Sequence, residues 1–360
     1  MKELNQYRIG ILGATGAVGQ KFVEILAGHP WFKVTALAAS EKSAGKRYED
    51  AVNWIGHVPV PQDIARMKVM PLAPDLDCDF VFSGLSASVA GVAERAFAAA
   101  GYPVISNARN YRMDARVPLL IPEVNPNHTA LIRTQAWPGG GFIVTNPNCS
   151  TVGLTCALRP LHDAFGVDLV QVTTFQALSG AGYPGVPSLD VLGNVVPFIG
   201  GEEEKLETEP QKLLGMLAGD QVQHAPITIS AQCNRVPVLE GHLECVSLKM
   251  RQLASLEEVR QVFERFRSPV AGYGLPSEPR KLLHVFDDDR YPQPRLHALL
   301  EGGMGVGIGR IRKCEVLDYK FVVLVHNTVR GAAGGAVLNA ELLVRQGFLQ
   351  KMPAGAGAPG

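Results

Sequence analysis

The chain has 360 residues, 46% of them hydrophobic and 19% charged, and its 34 Lys plus Arg balance 34 Asp plus Glu to a formal net charge of zero. That length accommodates two domains with buried cores, and the composition excludes a disordered chain or a disulfide scaffold. A neutral chain has no broad basic field for a polyanion, which excludes nucleic acid as its main partner.

The first element is Tyr7 to Leu12, a short apolar run followed by Gly13-Ala14-Thr15-Gly16-Ala17-Val18-Gly19 and the helical pattern Lys21 to Ala27. Strand, glycine-rich turn and helix in this order form a dinucleotide signal. Three glycines spaced by two residues let the backbone turn sharply, approach a pyrophosphate and present amide N–H groups at a helix N-terminus. Lys33 to Ala39 is the second strand. An NAD enzyme usually carries Asp or Glu after it to hold the ribose 2′-hydroxyl, whereas Ala39-Ser40 lead here into Glu41, Lys42, Ser43, Lys46 and Arg47. Hydroxyls and cations suit a 2′-phosphate, so NADP is favoured over NAD, with Glu41 close enough to keep NAD open.

Asp79 to Ser83, Pro103 to Ser106 and Phe142 to Thr145 are further short strands, and Ser88 to Ala100 is an Ala-rich helical stretch. This alternation implies an α/β fold with a Rossmann-like, doubly wound parallel sheet. Asn146-Pro147-Asn148 breaks the last strand, and Ser150 to Ala164 has helical periodicity that ends before Gly166. The pattern then changes. Val167 to Ala177, Ile227 to Arg235, His242 to Met250 and Cys314 to His326 are longer runs rich in Val, Thr and Leu, which suggests a mixed or antiparallel sheet. Between them lie the Gly/Pro-rich stretch Ser179 to Gly201, of a length usually found in functional or interface loops, and two helical stretches, Glu202 to Gly215 and Ser255 to Phe266. Gly331 to Gln346 is a closing helix expected to pack back on the first domain, with a Pro/Gly/Ala tail after it. There is no internal repeat. Apolar runs fall short of the roughly 20 residues that span a bilayer, and the start lacks a signal-peptide layout, so a cytoplasmic protein is expected.

Six cysteines, at positions 78, 149, 156, 233, 245 and 314, contain no CxxC pair, which suits reduced thiols and offers no framework for structural zinc. Cys149 stands out because it follows a strand and a loop and opens a helix, where unpaired amides and the macrodipole stabilise a thiolate. Cys156, on the same helical face, and Cys78, Cys233, Cys245 and Cys314, in apolar runs, read as small buried residues. A thiol nucleophile needs an acid/base and a group to orient its substrate. In Asn234 to His242 a strand ends in a bend containing Pro and Gly, so Arg235 and His242 both reach a cleft at its edge. His29, His57, His128 and His224 lie in polar or turn-like contexts and read as surface residues, whereas His326, which ends a strand, is a close rival to His242.

Gly13 to Gly19, Asn146 to Thr151, Gln176 to Gly182 and Arg235 to His242 together resemble the aspartate-semialdehyde dehydrogenase family over nearly the whole chain. Gly302 to Arg312 and His326 to Gly335 are similar to its archaeal and fungal branch. The resemblance implies NADP-dependent reductive dephosphorylation of L-aspartyl 4-phosphate to L-aspartate 4-semialdehyde through a thioester, in the synthesis of Lys, Thr, Met and Ile. It makes Cys149 the nucleophile, His242 the acid/base, Gln176 a positioner near the thioester and Arg235 the clamp for the substrate carboxylate. Arg112 matches the family's phosphate-binding arginine. Glu202 and Lys205 correspond to contacts with substrate amine and phosphate, with the register among Glu202, Glu203 and Glu204 open by one residue. Gly13, Thr15, Gly16, Ala17, Val18, Ser40, Ser43, Ser179, Gly180 and Asn327 are implied to line the cofactor, and amides near Cys149 to polarise the substrate carbonyl. It also implies an NADP-binding domain of residues 1–148 and 329–350, an α+β catalytic and dimerisation domain of residues 149–328 with a mixed sheet, a flexible tail at 351–360, no metal, and a homodimer or homotetramer. A malonyl-CoA reductase, a more distant N-acetyl-glutamyl-phosphate reductase and a non-catalytic dinucleotide-binding paralogue remain alternatives.

Overall fold

Short strands with no polar face must be buried on both sides, and such strands build parallel sheets. The computed structural model describes residues 6–351, so the expected tail from Met352 onward lies outside the described residues. Strands β1 (Tyr7–Leu12), β2 (Phe32–Ala39), β3 (Val69–Pro71), β4 (Phe80–Ser83), β5 (Pro103–Ser106) and β6 (Phe142–Thr145) form one parallel sheet in the order β3-β2-β1-β4-β5-β6. The order reverses between β1 and β4, the position at which open sheets of this kind take a ligand beyond the carboxyl ends of their strands. Phe22 of helix Ala17–Leu26 stacks on Phe82 at 4.7 Å between ring centroids, while Leu12, Val81, Phe97, Tyr102 and Ile143 share a second buried cluster.

The closing helix, Gly334–Arg345, supplies Glu341 to this unit, where its Oε1 lies 2.9 Å from His29 Nε2. His29 and His128 are therefore corrected from surface to buried positions. His29 does sit in a turn, but its ring stacks on Phe32 at 4.6 Å and a carboxylate from the far end of the chain partners it. Local polarity carries no information about such a partner.

In the second part of the chain, β7 (Val167–Gln176), the small hairpin β8–β9 (Met216–Ala218 and Gln221–Gln223), β10 (Thr228–Arg235), β11 (His242–Met250), β12 (Leu283–Val285), β13 (Val306–Lys313) and β14 (Tyr319–Val325) follow. Apart from the hairpin they make a six-stranded sheet ordered β10-β7-β11-β14-β13-β12. Its two outer pairs are parallel and the rest antiparallel, so it is mixed. Alternation assigns its faces: Val170, Val172 and Thr174 are buried while Leu169 and Gln171 are exposed. Helices Cys149–Phe165 and Leu256–Glu264 pack against this sheet. The second helix starts on a capping box, with Ser255 Oγ accepting from the Glu258 amide and the Glu258 carboxylate accepting from the Ser255 amide.

Two strand expectations needed revision. The run from Cys314 is a turn until Tyr319, closed by Cys314 N–H donating to Asp318 O, and β13 was not anticipated because Gly307 and Gly309 interrupt its β-branched pattern. Cys245 is exposed, since alternation turns it away from buried Glu244 and Val246, and Cys314 is half-buried in the turn.

The chain divides into two compact units. One holds the described residues up to Leu120, His128–Asn146 and those from Ala336 onward; the other holds Ile121–Asn127 and Pro147–Gly335. Ile121–Asn127 belongs to the second because Glu123 takes both Arg330 terminal nitrogens at 2.7 Å, with both side chains buried. No helix among the described residues is long and apolar enough to cross a membrane. Glu123→Ala leaves the Arg330 charge buried and unpaired, which should cost about 3–5 kcal/mol in equilibrium urea unfolding. A loss below about 1 kcal/mol would show that the pair does not hold the segment.

Candidate active site

Strand register assembles most of the site. The parallel pairing of β10 with β7 sets Arg235 beside Gln176 at the strands' carboxyl ends, and antiparallel β11 begins there with His242, itself paired with Val325 of β14. All four residues are buried on the same face as a second row one step down, Cys233, Thr174, Glu244 and Val323.

Cys149 is the first residue of its helix, and Asn148 is the N-cap, its Oδ1 accepting from the amides of Ser150 at 3.0 Å and Thr151 at 3.3 Å. Asn148 is itself fixed, because its Nδ2 donates to Glu202 Oε2 at 2.8 Å and its amide to Glu209 Oε2 at 2.7 Å. Of the amides at this helix start, those of Ser150 and Thr151 are taken up by the cap, which removes these two from the expected polarisation of a substrate carbonyl. Asn148 and Glu209 were not singled out from the sequence, although Asn immediately before a helix start is a cap signal.

The Cys149 Sγ lies 3.2 Å from His242 Nε2, and the Ala177 amide donates to His242 Nδ1 at 3.0 Å. Burial first, and then the Arg235 charge and the neighbouring His326, push His242 down to about 3, so the ring is neutral at ordinary pH. Arg235 Nη1 donates to Ala177 O at 2.6 Å. Gln176 Nε2 reaches Thr174 Oγ1 and Glu202 Oε2, each at 3.3 Å. Burial favours protonating Glu202, yet Lys205 at 2.6 Å, Asn148 and Gln176 outweigh it and hold the carboxyl below its ordinary range. Of the three adjacent glutamates, Glu202 faces this cluster, Glu203 turns to the Cys233 amide and Glu204 is exposed.

Glycines make room at two points. A Cβ on Gly180 would stand 2.9 Å from Arg235 Nη1 and 3.1 Å from His242 Nε2, and one on Gly331 would stand 2.8 Å from Cys149 Cβ. Gly331 lies in a π-helical turn, Val329–Ala333, a form frequent at functional sites. Ser179 Oγ accepts from Asn327 Nδ2 at 2.8 Å, and Asn327 Oδ1 accepts from the Gly241 amide. The rival histidine, His326, is buried with Nε2 3.4 Å from Glu240 Oε2, a carboxylate and not a nucleophile. Burial pushes the thiols of Cys156 and Cys233 up to about 11 and that of Cys78 up to about 12.

In the first unit, Gly13 at φ +75° begins the glycine-rich turn, and a Cβ on Gly19 would stand 2.2 Å from Gly13 O. Tyr48 Oη donates to Ala14 O and Gln20 Nε2 to Thr15 O, which pins the turn, while the helix opens at Gly16 and Ala17 without a capping side chain. Thr15, Ala17 and Val18 are half-buried along it. This cradle of backbone at an uncapped helix start fits a pyrophosphate. After β2, the Ser43 amide donates to Ser40 O; Ser43 is buried, whereas Ser40, Glu41, Lys42, Lys46 and Arg47 are exposed, a set that fits a 2′-phosphate. Arg112 is also in this unit, buried, with Nη2 donating to Asn107 O at 2.7 Å.

Family models match the chain twice: a semialdehyde dehydrogenase NAD binding domain over residues 8–132 and a semialdehyde dehydrogenase dimerisation domain over residues 158–330. The chain is 49% identical over 344 residues to an aspartate-semialdehyde dehydrogenase from Archaeoglobus fulgidus, covering 95% of this chain and 99% of that one. It is 47% identical over 360 residues to one from Cryptococcus neoformans, with 96% and 99% covered. Among solved structures it is similar to aspartate semialdehyde dehydrogenase with NADP from Candida albicans, at TM-score 0.89 and 42% identity over 95% of this chain and 99% of that one. Aspartate semialdehyde dehydrogenase II complexed with ASA from Vibrio cholerae is similar at TM-score 0.74 and 28% identity, with the same shares covered.

One buried group below the site is unsatisfied. Glu244, two residues after His242 on the same face, has no partner for either carboxyl oxygen, and burial raises it well above an ordinary carboxyl. The folded state therefore holds its proton, and the stability it contributes is present below the unfolded carboxyl's range and lost as pH rises toward the raised folded value. Glu244→Gln should match the native protein in unfolding free energy near about pH 4 and exceed it near about pH 8. Equal pH dependence of the two proteins would refute this.

Proposed function

The chain belongs to the aspartate-semialdehyde dehydrogenase family, and on that premise we propose that Cys149, His242, Gln176, Arg235, Glu202 and Lys205 carry its reaction. That reaction is the NADP-dependent reductive dephosphorylation of L-aspartyl 4-phosphate to L-aspartate 4-semialdehyde, a step of amino-acid biosynthesis. The observation that carries the residue assignment is the Cys149–His242 contact at the head of a helix, facing a buried Arg235.

Cys149 sulfur attacks the acyl carbon of the substrate; the sulfur–carbon bond forms, the carbon–oxygen bond to phosphate breaks, and phosphate leaves with the bonding pair. Arg235 turns its planar fork to the α-carboxylate, where two parallel charge-assisted bonds set orientation. Glu202 receives the substrate amine, and Lys205 and Arg112 answer the phosphate charge. Gln176 positions the resulting thioester. NADPH, when bound, supplies the hydride that reduces the thioester. His242 is the acid/base: its Nε2 takes the proton of the Cys149 thiol and gives or takes one at the carbonyl oxygen in the relevant direction. Gly13, Thr15, Gly16, Ala17 and Val18 would hold the cofactor's pyrophosphate and Ser40 and Ser43 its 2′-phosphate, and Ser179, Gly180 and Asn327 are further cofactor-lining residues on this reading.

A homodimer or homotetramer in the cytoplasm completes the reading. The dimerisation-domain match and exposed Leu189, Leu192 and Phe198 in the Gly/Pro-rich stretch support assembly.

Nicotinamide absorbance tests the substrate: NADP and L-aspartate 4-semialdehyde should give NADPH only with phosphate present. Activity confined to malonate semialdehyde with CoA would overturn the acyl phosphate. Cys149→Ala should abolish turnover while NADPH still binds, and residual turnover in the purified variant would remove Cys149 from its role. Arg235→Lys should lower kcat/KM for the semialdehyde by about 10- to 100-fold and leave KM for NADP unchanged, because an ammonium cannot reproduce the fork. An unaltered semialdehyde dependence would refute the clamp.

A further inference from the structure

Burying a carboxyl group is costly unless donors satisfy it, so an acid on the inner face of a helix calls for a reason. Helix Ala87–Ala99 is rich in alanine, and its buried positions are Ala90, Phe97, Ala98 and one acid, Glu94, which is 0% exposed. Glu94 Oε1 accepts from Ser83 Oγ and from Ser106 Oγ, each at 2.6 Å. The two serines are register partners at the carboxyl ends of β4 and β5. Glu94 Oε2 is buried with no hydrogen-bond partner among the described residues, and the charge that acts on this carboxyl is that of Arg112. Burial raises Glu94 above the ordinary carboxyl range, against Ser106, Ser83 and the Arg112 guanidinium, which pull it down.

The same helix holds the segment that ends in Arg112. Asn110 Nδ2 donates to Ala87 O at 3.0 Å, Tyr111 Oη to Gly91 O at 2.6 Å, and Ser106 to Glu94, so positions 87, 91 and 94 present one stripe at helical spacing. A Cβ on Gly91 would stand 2.9 Å from Asn110 Nδ2, and glycine there lets the segment lie close. Two routes lead on from the carboxyl. Ser106 Oγ accepts from the Ala108 amide at 3.0 Å, and Ser83 O accepts from the Asn107 amide at 3.0 Å. Asn107 is held again at Oδ1, which accepts from Asn146 Nδ2 at 3.0 Å, and its carbonyl oxygen accepts from Arg112 Nη2 at 2.7 Å. A run of hydrogen bonds therefore passes from Glu94 through Ser83 and Asn107 to the guanidinium, with Ser106 and Ala108 bracing it from the side.

On the reading that Arg112 meets the substrate phosphate, we propose that Glu94 is its positioning residue: the carboxyl clamps Ser83 and Ser106, these fix Asn107 and Ala108, and the Asn107 carbonyl aims Arg112 before phosphate arrives. Glu94 acts through Arg112 and does not itself touch phosphate. A guanidinium set beforehand loses less freedom when the anion binds, so the gain appears as affinity for phosphate.

Steady-state rates with NADP, L-aspartate 4-semialdehyde and inorganic phosphate test this. Ser106→Ala and Glu94→Ala should each raise KM for phosphate by about 10-fold, the scale of one hydrogen bond to a charged group, while KM for NADP stays within about twofold of native. Glu94→Gln keeps an oxygen acceptor for both hydroxyls and should recover most of the native phosphate dependence. Arg112→Gln should raise the phosphate KM by itself, and adding Ser106→Ala to it should raise it no further, because the two changes act on one group. The Ser106 variants carry the test where Glu94→Ala does not fold. An unchanged phosphate KM in folded Ser106→Ala, a rise shared equally by phosphate and NADP, a Gln variant as impaired as Ala, or full additivity with Arg112→Gln would each overturn the positioning role. Arg112→Gln with a native phosphate KM would instead remove Arg112 from the phosphate, and the proposal with it, which separates failure of that reading from failure of the positioning.

Discussion

The site depends on strand register. Side chains in a sheet alternate between faces, so Arg235, Gln176 and His242 share one buried row only because β10, β7 and β11 pair as they do. A slip of one residue in any of the three would turn its site residue to the opposite face and bring Asn234, Phe175 or Leu243 inward instead. Parallel pairing of β10 with β7 makes both strands end at the same edge, and antiparallel β11 starts there. The bend between Arg235 and His242 is short enough to keep the two residues at that edge, and its Gly241 amide is tied to Asn327 beyond β14.

The nucleophile is brought to this row by a different device. Asn148 ends the loop, caps the helix and is gripped by Glu202 and Glu209, so the position of Cys149 is coupled to helix Glu202–Leu213. Glu202 also contacts Gln176 and Lys205, which makes one carboxylate common to the cap, the sheet row and the Lys205 ammonium. A charge so buried is tolerable because each of its oxygens has donors; Glu244, a row below, has none and keeps its proton instead. The two glutamates show how partners, more than burial, decide the charge state.

Much of this was legible in the residues because it is local. A strand, a glycine-rich turn and a helix within the first 26 residues are read from spacing alone, and β1, β5, β6 and β11 begin and end where their apolar runs do. Cys149 was legible for the same reason, since its value lies in being the first residue of a helix. What was hidden depends on residues far apart in the chain. The burial of His29 comes from Glu341, the orientation of Glu202 from Asn148 and Gln176, and the separation of His242 from His326 from what each Nε2 faces. β13 was hidden by its own glycines, which weaken the β signal that the sheet around it makes unnecessary.

The occupied cap has a consequence for how the two devices divide the chemistry. Helix starts stabilise anions through free amides, and the Cys149 helix offers that arrangement to sulfur by position while giving its next two amides to Asn148. The side chains of the sheet row are fixed in another way: His242 accepts from the Ala177 amide at Nδ1, and Gln176 donates from Nε2 to Thr174 and Glu202. Groups fixed beforehand need no reorganisation when charge develops, which is the condition under which a site lowers a barrier most. The helix thus sets where the sulfur stands, and the register of β7, β10 and β11 sets which side chains face it.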